Sequence, residues 1–86
     1  MIANTGAAGG LKLTAHGSAT LSGGEARTFS VPTSYFVIAG GGNGTNIAAR
    51  GQSGAGSKPQ ISLSDDGNTL TISTVAGTDV EYWAFG

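Results

Sequence analysis

One histidine and five carboxylates carry nearly all the acid–base chemistry this sequence could perform: His16, with Glu25, Asp65, Asp66, Asp79 and Glu81. A Ser–His–Asp relay could be assembled on paper, because serines are plentiful. It would need a histidine held between a nucleophile and an orienting acid. His16 instead falls on the polar side of an alternating segment, and no Gly-x-Ser-x-Gly elbow is present. It reads as a solvent-facing strand histidine. A carboxylate pair held about 5–10 Å apart could cleave a glycoside. Asp65 and Asp66, however, are adjacent in a turn sequence, where Asp caps the turn's own backbone. Calcium needs six to eight oxygens, and Asp65-Asp66-Gly67-Asn68 lacks both the EF-hand spacing and its distal Glu. With no Cys, neither a disulfide nor a thiolate zinc site can form. The expectation is a non-enzymatic chain with no catalytic residue, no cofactor and no metal.

Three other patterns could bind ligands. Gly40-Gly41-Gly42-Asn43-Gly44 resembles a phosphate cradle only superficially, because Thr45 stands where a further Gly is needed and no Lys-Ser/Thr pair follows. With no helix start to aim its amides, the loop reads as a wide β-turn. Trp83, Tyr82 or Tyr35 could stack on a sugar. Neighbouring strand residues face opposite sides, so Tyr82 and Trp83 cannot share one platform. One of them is core and the other is partly exposed or at an interface, where aromatics act as anchors. Thr69-Leu70-Thr71-Ile72-Ser73-Thr74 puts hydroxyls on one face, a row that could match an ice lattice but reads better as a solvated sheet face. Asn43-Gly44-Thr45 is formally a glycosylation sequon, relevant only in a eukaryotic secretory setting.

Those residues sit in a chain of 86, enough for one domain with a marginal core. Only 10% of residues are charged, and 16 are Gly. The surface must therefore be built from hydroxyls, amides and bare backbone. Such groups lose little side-chain entropy when immobilised, which suits flat contacts with other protein. A small domain without staples also borrows stability from neighbours. The cations Lys12, Arg27, Arg50 and Lys58 are scattered and the net charge is −1, so no phosphate-tracking stripe is expected and nucleic acid is not a partner. No apolar run approaches the ~18 residues that span a membrane, and residues 1–5 lack a signal-peptide pattern. Export by the usual route is not expected.

The elements that position these residues alternate with period two. Residues 1–10 read as a flexible Gly/Ala arm, and 11–86 as one β-sandwich domain. Leu11, Leu13 and Ala15 are expected on the buried side of a first strand, with Lys12, Thr14 and His16 facing out and a bulge or bend at Gly17. After the Ser22-Gly23-Gly24 turn, Ala26 to Val31 alternates with Phe29 and Val31 inward, and Pro32 ends the strand. Tyr35-Phe36-Val37-Ile38-Ala39 is the one continuous apolar run, expected to be a central strand covered on both faces. A weaker strand centres on Ile47, and residues 51–58 read as a long Gly/Ser loop, the mobile part of the surface. Asp65-Asp66-Gly67-Asn68 between the alternating runs at Ile61 and Leu70 signals a hairpin. Val80, Tyr82 and Ala84 share one face of the last strand; Glu81, Trp83 and Phe85 share the other. Seven or eight short strands at this spacing predict an all-β antiparallel sandwich, jelly-roll-like or immunoglobulin-like.

The stretch Ile61-Ser62-Leu63-Ser64-Asp65-Asp66-Gly67-Asn68-Thr69-Leu70-Thr71-Ile72, followed by Asp79-Val80-Glu81-Tyr82-Trp83-Ala84-Phe85-Gly86, resembles the ending of small β-domain virion proteins of tailed bacteriophages. Phe29-Ser30-Val31-Pro32 leading into Tyr35-Phe36-Val37-Ile38 is similar to the same group. The resemblance implies a virion structural protein: a capsid decoration (cement) protein, or a small tail or neck component. It implies partners among capsid or tail subunits and location in the virion after assembly in the host cytoplasm. The composition adds a homo-oligomer, a trimer being one order that fits. The residues expected at the interface are Ile2, Leu11, Leu13, Trp83 and Phe85. A carbohydrate-binding or receptor-binding module is the alternative reading.

Overall fold

A computed structural model describes residues 11–42 and 44–86. Ile2 and the arm at residues 1–10 lie outside the described residues. The described chain is all-β: β1 (Leu13–Leu21), β2 (Ala26–Ser30), β3 (Phe36–Gly41), β4 (Asn46–Ala49), β5 (Gln60–Leu63), β6 (Thr69–Ser73) and β7 (Thr78–Phe85). They form a four-stranded sheet in the order β1-β7-β3-β4 and a three-stranded sheet in the order β2-β6-β5, with every pairing antiparallel. The predicted sandwich is present, with seven strands.

The chain is organised by one long ribbon. β1 pairs with β7 and β2 with β6, and from Ala15↔Ala84 to Ser30↔Thr69 the register never changes. The ribbon crosses from one sheet to the other at a corner made by residues 22–25 on one strand and 74–77 on the other. Gly24 N–H donates to the Thr74 carbonyl there at 2.9 Å. Gly23 and Gly77 let the two backbones touch: a Cβ on Gly77 would lie 3.3 Å from the Gly23 nitrogen. A two-stranded ribbon folded over both layers is the jelly-roll-like arrangement. An immunoglobulin order would instead put the first strand beside the second.

Alternation fills the space between the layers. Leu21, Val37, Ala39, Ala48, Val80, Tyr82 and Ala84 point inward from the larger sheet and its ends; Ile61, Leu70 and Ile72 answer from the smaller one, with Val31 at its margin. Phe29 packs across the gap on the Tyr82 ring, 4.9 Å between centroids at 43°. Tyr82 in turn lies on Gly17, its opposite number in β1. The predicted β5–β6 hairpin turns on Gly67 at φ 75°, and Asp66 accepts from the Ser64 hydroxyl and the Asn68 N–H. The segment at 51–58 is tied down at several points: Ala55 bridges to Lys58, Gly54 N–H donates to Gln60, and Ala76 N–H donates to the Gly56 carbonyl.

Two burial expectations are corrected. Leu11 and Leu13 are not on the buried side; they are 54% and 56% exposed. A register shift between Leu13 and Ala15 is the cause. It inserts Thr14 as an extra residue, so Leu13 faces outward opposite Phe85 while Ala15 faces the core opposite Ala84. The Thr14 hydroxyl pairs with that of buried Ser34 at 2.6 Å, which anchors this irregularity. The bulge thus lies three residues before the predicted site at Gly17. The second correction concerns β3. It is interior to its sheet, but only its Val37 and Ala39 side is covered; Phe36 and Ile38 are half-buried on the outer side.

Candidate docking face

The outer surface of the four-stranded sheet gathers most of the large apolar groups that the core does not use. Register dictates the arrangement. The outward residues of β7 are Asp79, Glu81, Trp83 and Phe85, and each defines a row across the sheet. Phe85 stands between Leu13 of β1 and Phe36 of β3. Trp83 stands between His16 and Ile38, with Ala49 of β4 next beyond Ile38. Glu81 stands between Ser18 and Gly40, with Ile47 beyond, and Asp79 pairs with Thr20. Six large apolar side chains (Leu13, Phe36, Ile38, Ile47, Trp83 and Phe85) therefore share one face. Leu13 and Ile47 are mostly exposed, at 56% and 62%, and the other four are half-buried.

Polar contacts lie along one side and at both ends of this face. The His16 Nε2–H donates to Glu81 Oε2 at 2.6 Å, and its ring lies parallel to the Trp83 indole, 5.3 Å between centroids at 10°. Thr20 donates to Asp79 at 2.8 Å. Beside these groups lies an open trough of about 650 Å³, lined by Ser18, Thr20, Gly40, Gly44, Asp79 and Glu81. Gly40 is buried at its floor, with the Gly44 backbone and Ile47 3.4 and 3.7 Å from where a Cβ would stand. At the opposite end Tyr35 is 69% exposed, and the Arg50 guanidinium sits 5.6 Å from its ring centre while donating to the Tyr35 carbonyl. Lys12 stands at the same end, paired through its backbone with Gly86. Acids thus mark one end of the face and cations the other.

Of the residues expected at an interface, Leu13, Trp83 and Phe85 come together here. Leu11 flanks the same end, exposed beside the Lys12–Gly86 pairing. Phe36, Ile38 and Ile47 belong to the face and were not anticipated. The available signal was their odd–even phase: in β3 the even positions are as apolar as the odd ones, which marks a strand with two apolar faces without saying what covers the second.

The remaining candidates are dispersed. Asp65 and Asp66 occupy the β5–β6 turn. Asp66 is held below its ordinary pKa by the Ser64 hydroxyl and then the Asn68 N–H. Glu25 is lowered by the Ser22 N–H and by Arg27, which donates through Nε at 3.0 Å and Nη2 at 2.6 Å. Among the described residues, no group of three or more His, Cys, Asp or Glu gathers as a metal would require, and no serine or threonine hydroxyl bonds to His16. The hydroxyl row of β6 is joined by neighbours on both sides. Thr28 and Ser62 flank Thr71, Ala26 and Gln60 flank Ser73, and Ser30 stands beside Thr69. The outer face of the three-stranded sheet is therefore wholly uncharged and mostly hydroxylated, opposite in character to the apolar one. No known family model, curated protein or solved structure matches the chain.

Proposed function

We propose that this chain is a non-enzymatic structural protein of a tailed-bacteriophage virion, a capsid decoration (cement) protein or a small tail or neck component. It joins neighbouring subunits through the outer face of its four-stranded sheet. The supporting observation is that face: six large apolar side chains in adjoining rows, two mostly exposed and four half-buried among the described residues, on the side of the sheet away from the core. Apolar patches beyond a few hundred Å² mark interaction sites on soluble proteins. Each docked copy would remove that surface from water and shift the assembled state by mass action. The folded-over ribbon is compatible with this reading, since double-sheet rolls build viral capsid subunits as well as lectins. β1 is an edge strand of its sheet, and a strand from a neighbour could add to it.

The carbohydrate reading has less support. A sugar platform needs an open indole face, and the His16 ring lies parallel to Trp83 on one side while Ile38 is its cross-strand neighbour on the other. The experiment is co-sedimentation of the purified chain with capsid and tail preparations, comparing wild type with Ile38→Glu. Binding by the wild type and loss in the variant are expected. Equal binding by both would remove the face from the account. Imaging particles carrying a chain without residues 1–10 tests the arm separately.

A further inference from the structure

We propose that the surface seated on this face is the same face of a second copy of the chain, with the two sheets packed about a twofold axis running along the strands between β3 and β7. The proposal rests on the docking reading above and names the occupant.

An isologous contact requires a patch complementary to itself. β3 and β7 meet that requirement level by level. Phe36 stands beside Phe85, and Ile38 beside Trp83. A twofold axis midway between the strands exchanges them, so each copy lays Phe36 over Phe85 of the other and Ile38 over Trp83. Both contacts then occur twice. One level further on, Glu81 of each copy lies over Gly40 of the other, at the trough. The carboxylate thereby comes over a position with no side chain of its own, bordered by the Gly44 backbone and the flank of Ile47, 3.4 and 3.7 Å from where a Gly40 Cβ would stand. The other face-to-face symmetry, with the axis across the strands, lays Phe36 over Gly40 and Phe85 over Glu81.

The charges alone would choose that second arrangement, because it brings the Lys12 and Arg50 end over the Asp79 and Glu81 end. Lys12, Arg50 and Asp79 are at the margins of the face, where screening acts within about 8 Å at physiological salt, and Glu81 lies one row in from Asp79. Apolar overlap grows with the area removed from water and covers the centre, so it decides. Strands β1, β3, β4 and β7 hold nine, six, four and eight residues; at ~3.3 Å per residue and about 4.8 Å between strands they give a footprint of roughly 430 Å² before side-chain relief is counted. That is about half of the ~800 Å² per partner of a standard interface, and the relief of Phe36, Trp83 and Phe85 adds to it.

The test is sedimentation of the full chain across a wide concentration series, alone and with added salt. The expected mass is twice that of the 8.4 kDa chain. Association should strengthen with salt, because this symmetry puts acids near acids and cations near cations. Ile38→Glu should weaken it by roughly thirtyfold or more, as loss of a central anchor does. Leu13→Lys serves as a second variant should Ile38→Glu fail to fold; Leu13 is exposed, and the new cation would lie near Arg50 of the other copy. A monomer at every concentration overturns the proposal, as does a dimer indifferent to both variants. A dimer that salt weakens overturns the axis. If the chain is monomeric yet binds virion particles in an Ile38-dependent way, only the second copy is lost and the docking reading stands.

Discussion

Replacing Gly17 by Ala sets two forces of opposite sign against each other. In an ordinary strand interior the change is favourable by about 0.5–1 kcal/mol, because Gly gives the unfolded chain extra freedom. Here the new Cβ would lie 2.6 Å from the Tyr82 hydroxyl and 2.8 Å from its Cζ and Cε2. Tyr82 has little room to retreat, since it is buried to 8% exposure and the Phe29 ring sits 4.9 Å away in the opposite sheet. Overpacking of this kind costs about 1–3 kcal/mol. The net expectation is a loss of about 1 kcal/mol, which lowers the melting temperature by roughly 4–8 °C in a domain this size. Urea unfolding followed by tryptophan fluorescence should show a lower midpoint with an unchanged slope. The decisive control is the same substitution in a Tyr82→Leu background, where no ring overlies the site. There Gly17→Ala should raise the midpoint, giving a coupling of about 1 kcal/mol or more between the two positions. A raised midpoint in the wild-type background, or an equal shift in both, would refute the reasoning.

Gly67→Ala should cost about 2 kcal/mol or more by chemical denaturation, because it adds a Cβ against the Ser34 carbonyl to the strain of φ 75°. Gly24→Ala, at φ 77° with nothing near the new atom, carries the strain alone and should cost clearly less. Thr74→Val removes a buried hydroxyl that has no partner among the described residues, so it should be neutral or raise the melting temperature. Glu25 and Asp66 are both lowered from their ordinary values of 4.5 and 3.8. The stability they contribute is complete above those values and is lost as pH falls through the lower folded-state values. Denaturation midpoints should therefore begin to fall near pH 4.5, and Asp66→Asn should flatten part of that fall.

Period-two alternation made much of the fold legible. The inward set Val80, Tyr82 and Ala84, the hairpin at Asp65–Asn68 and the stop at Pro32 follow from side-chain phase and turn chemistry, both local properties. The bulge at Thr14 was not legible, because it depends on Ser34 arriving twenty residues later to pair with its hydroxyl. Misplacing it reversed the facing of Leu11 and Leu13. β3 failed for a related reason. A run apolar at every position states that both faces shun water, not that both are covered. Whether a second layer exists is set by how many strands remain, and here three strands cover only the inner side. Three of the five expected interface residues came together because β7 alone fixes Trp83 and Phe85 on one face, while Phe36 and Ile38 join them only through a register that no local pattern encodes.

The two outer faces carry the same physical demand with different answers. A sandwich buries its inner faces and leaves the outer ones to water. The three-stranded sheet meets water with Thr28, Ser30, Ser62, Thr69, Thr71 and Ser73, groups that hydrate well without charge. The four-stranded sheet presents Leu13, Phe36, Ile38, Ile47, Trp83 and Phe85 instead, in a chain whose net charge is only −1. The core cannot account for those residues, because Val37, Ala39, Leu70 and Ala84 already fill the interior at zero exposure. On the reading proposed above such a face takes a third layer, and the domain's stability should rise whenever that layer is supplied.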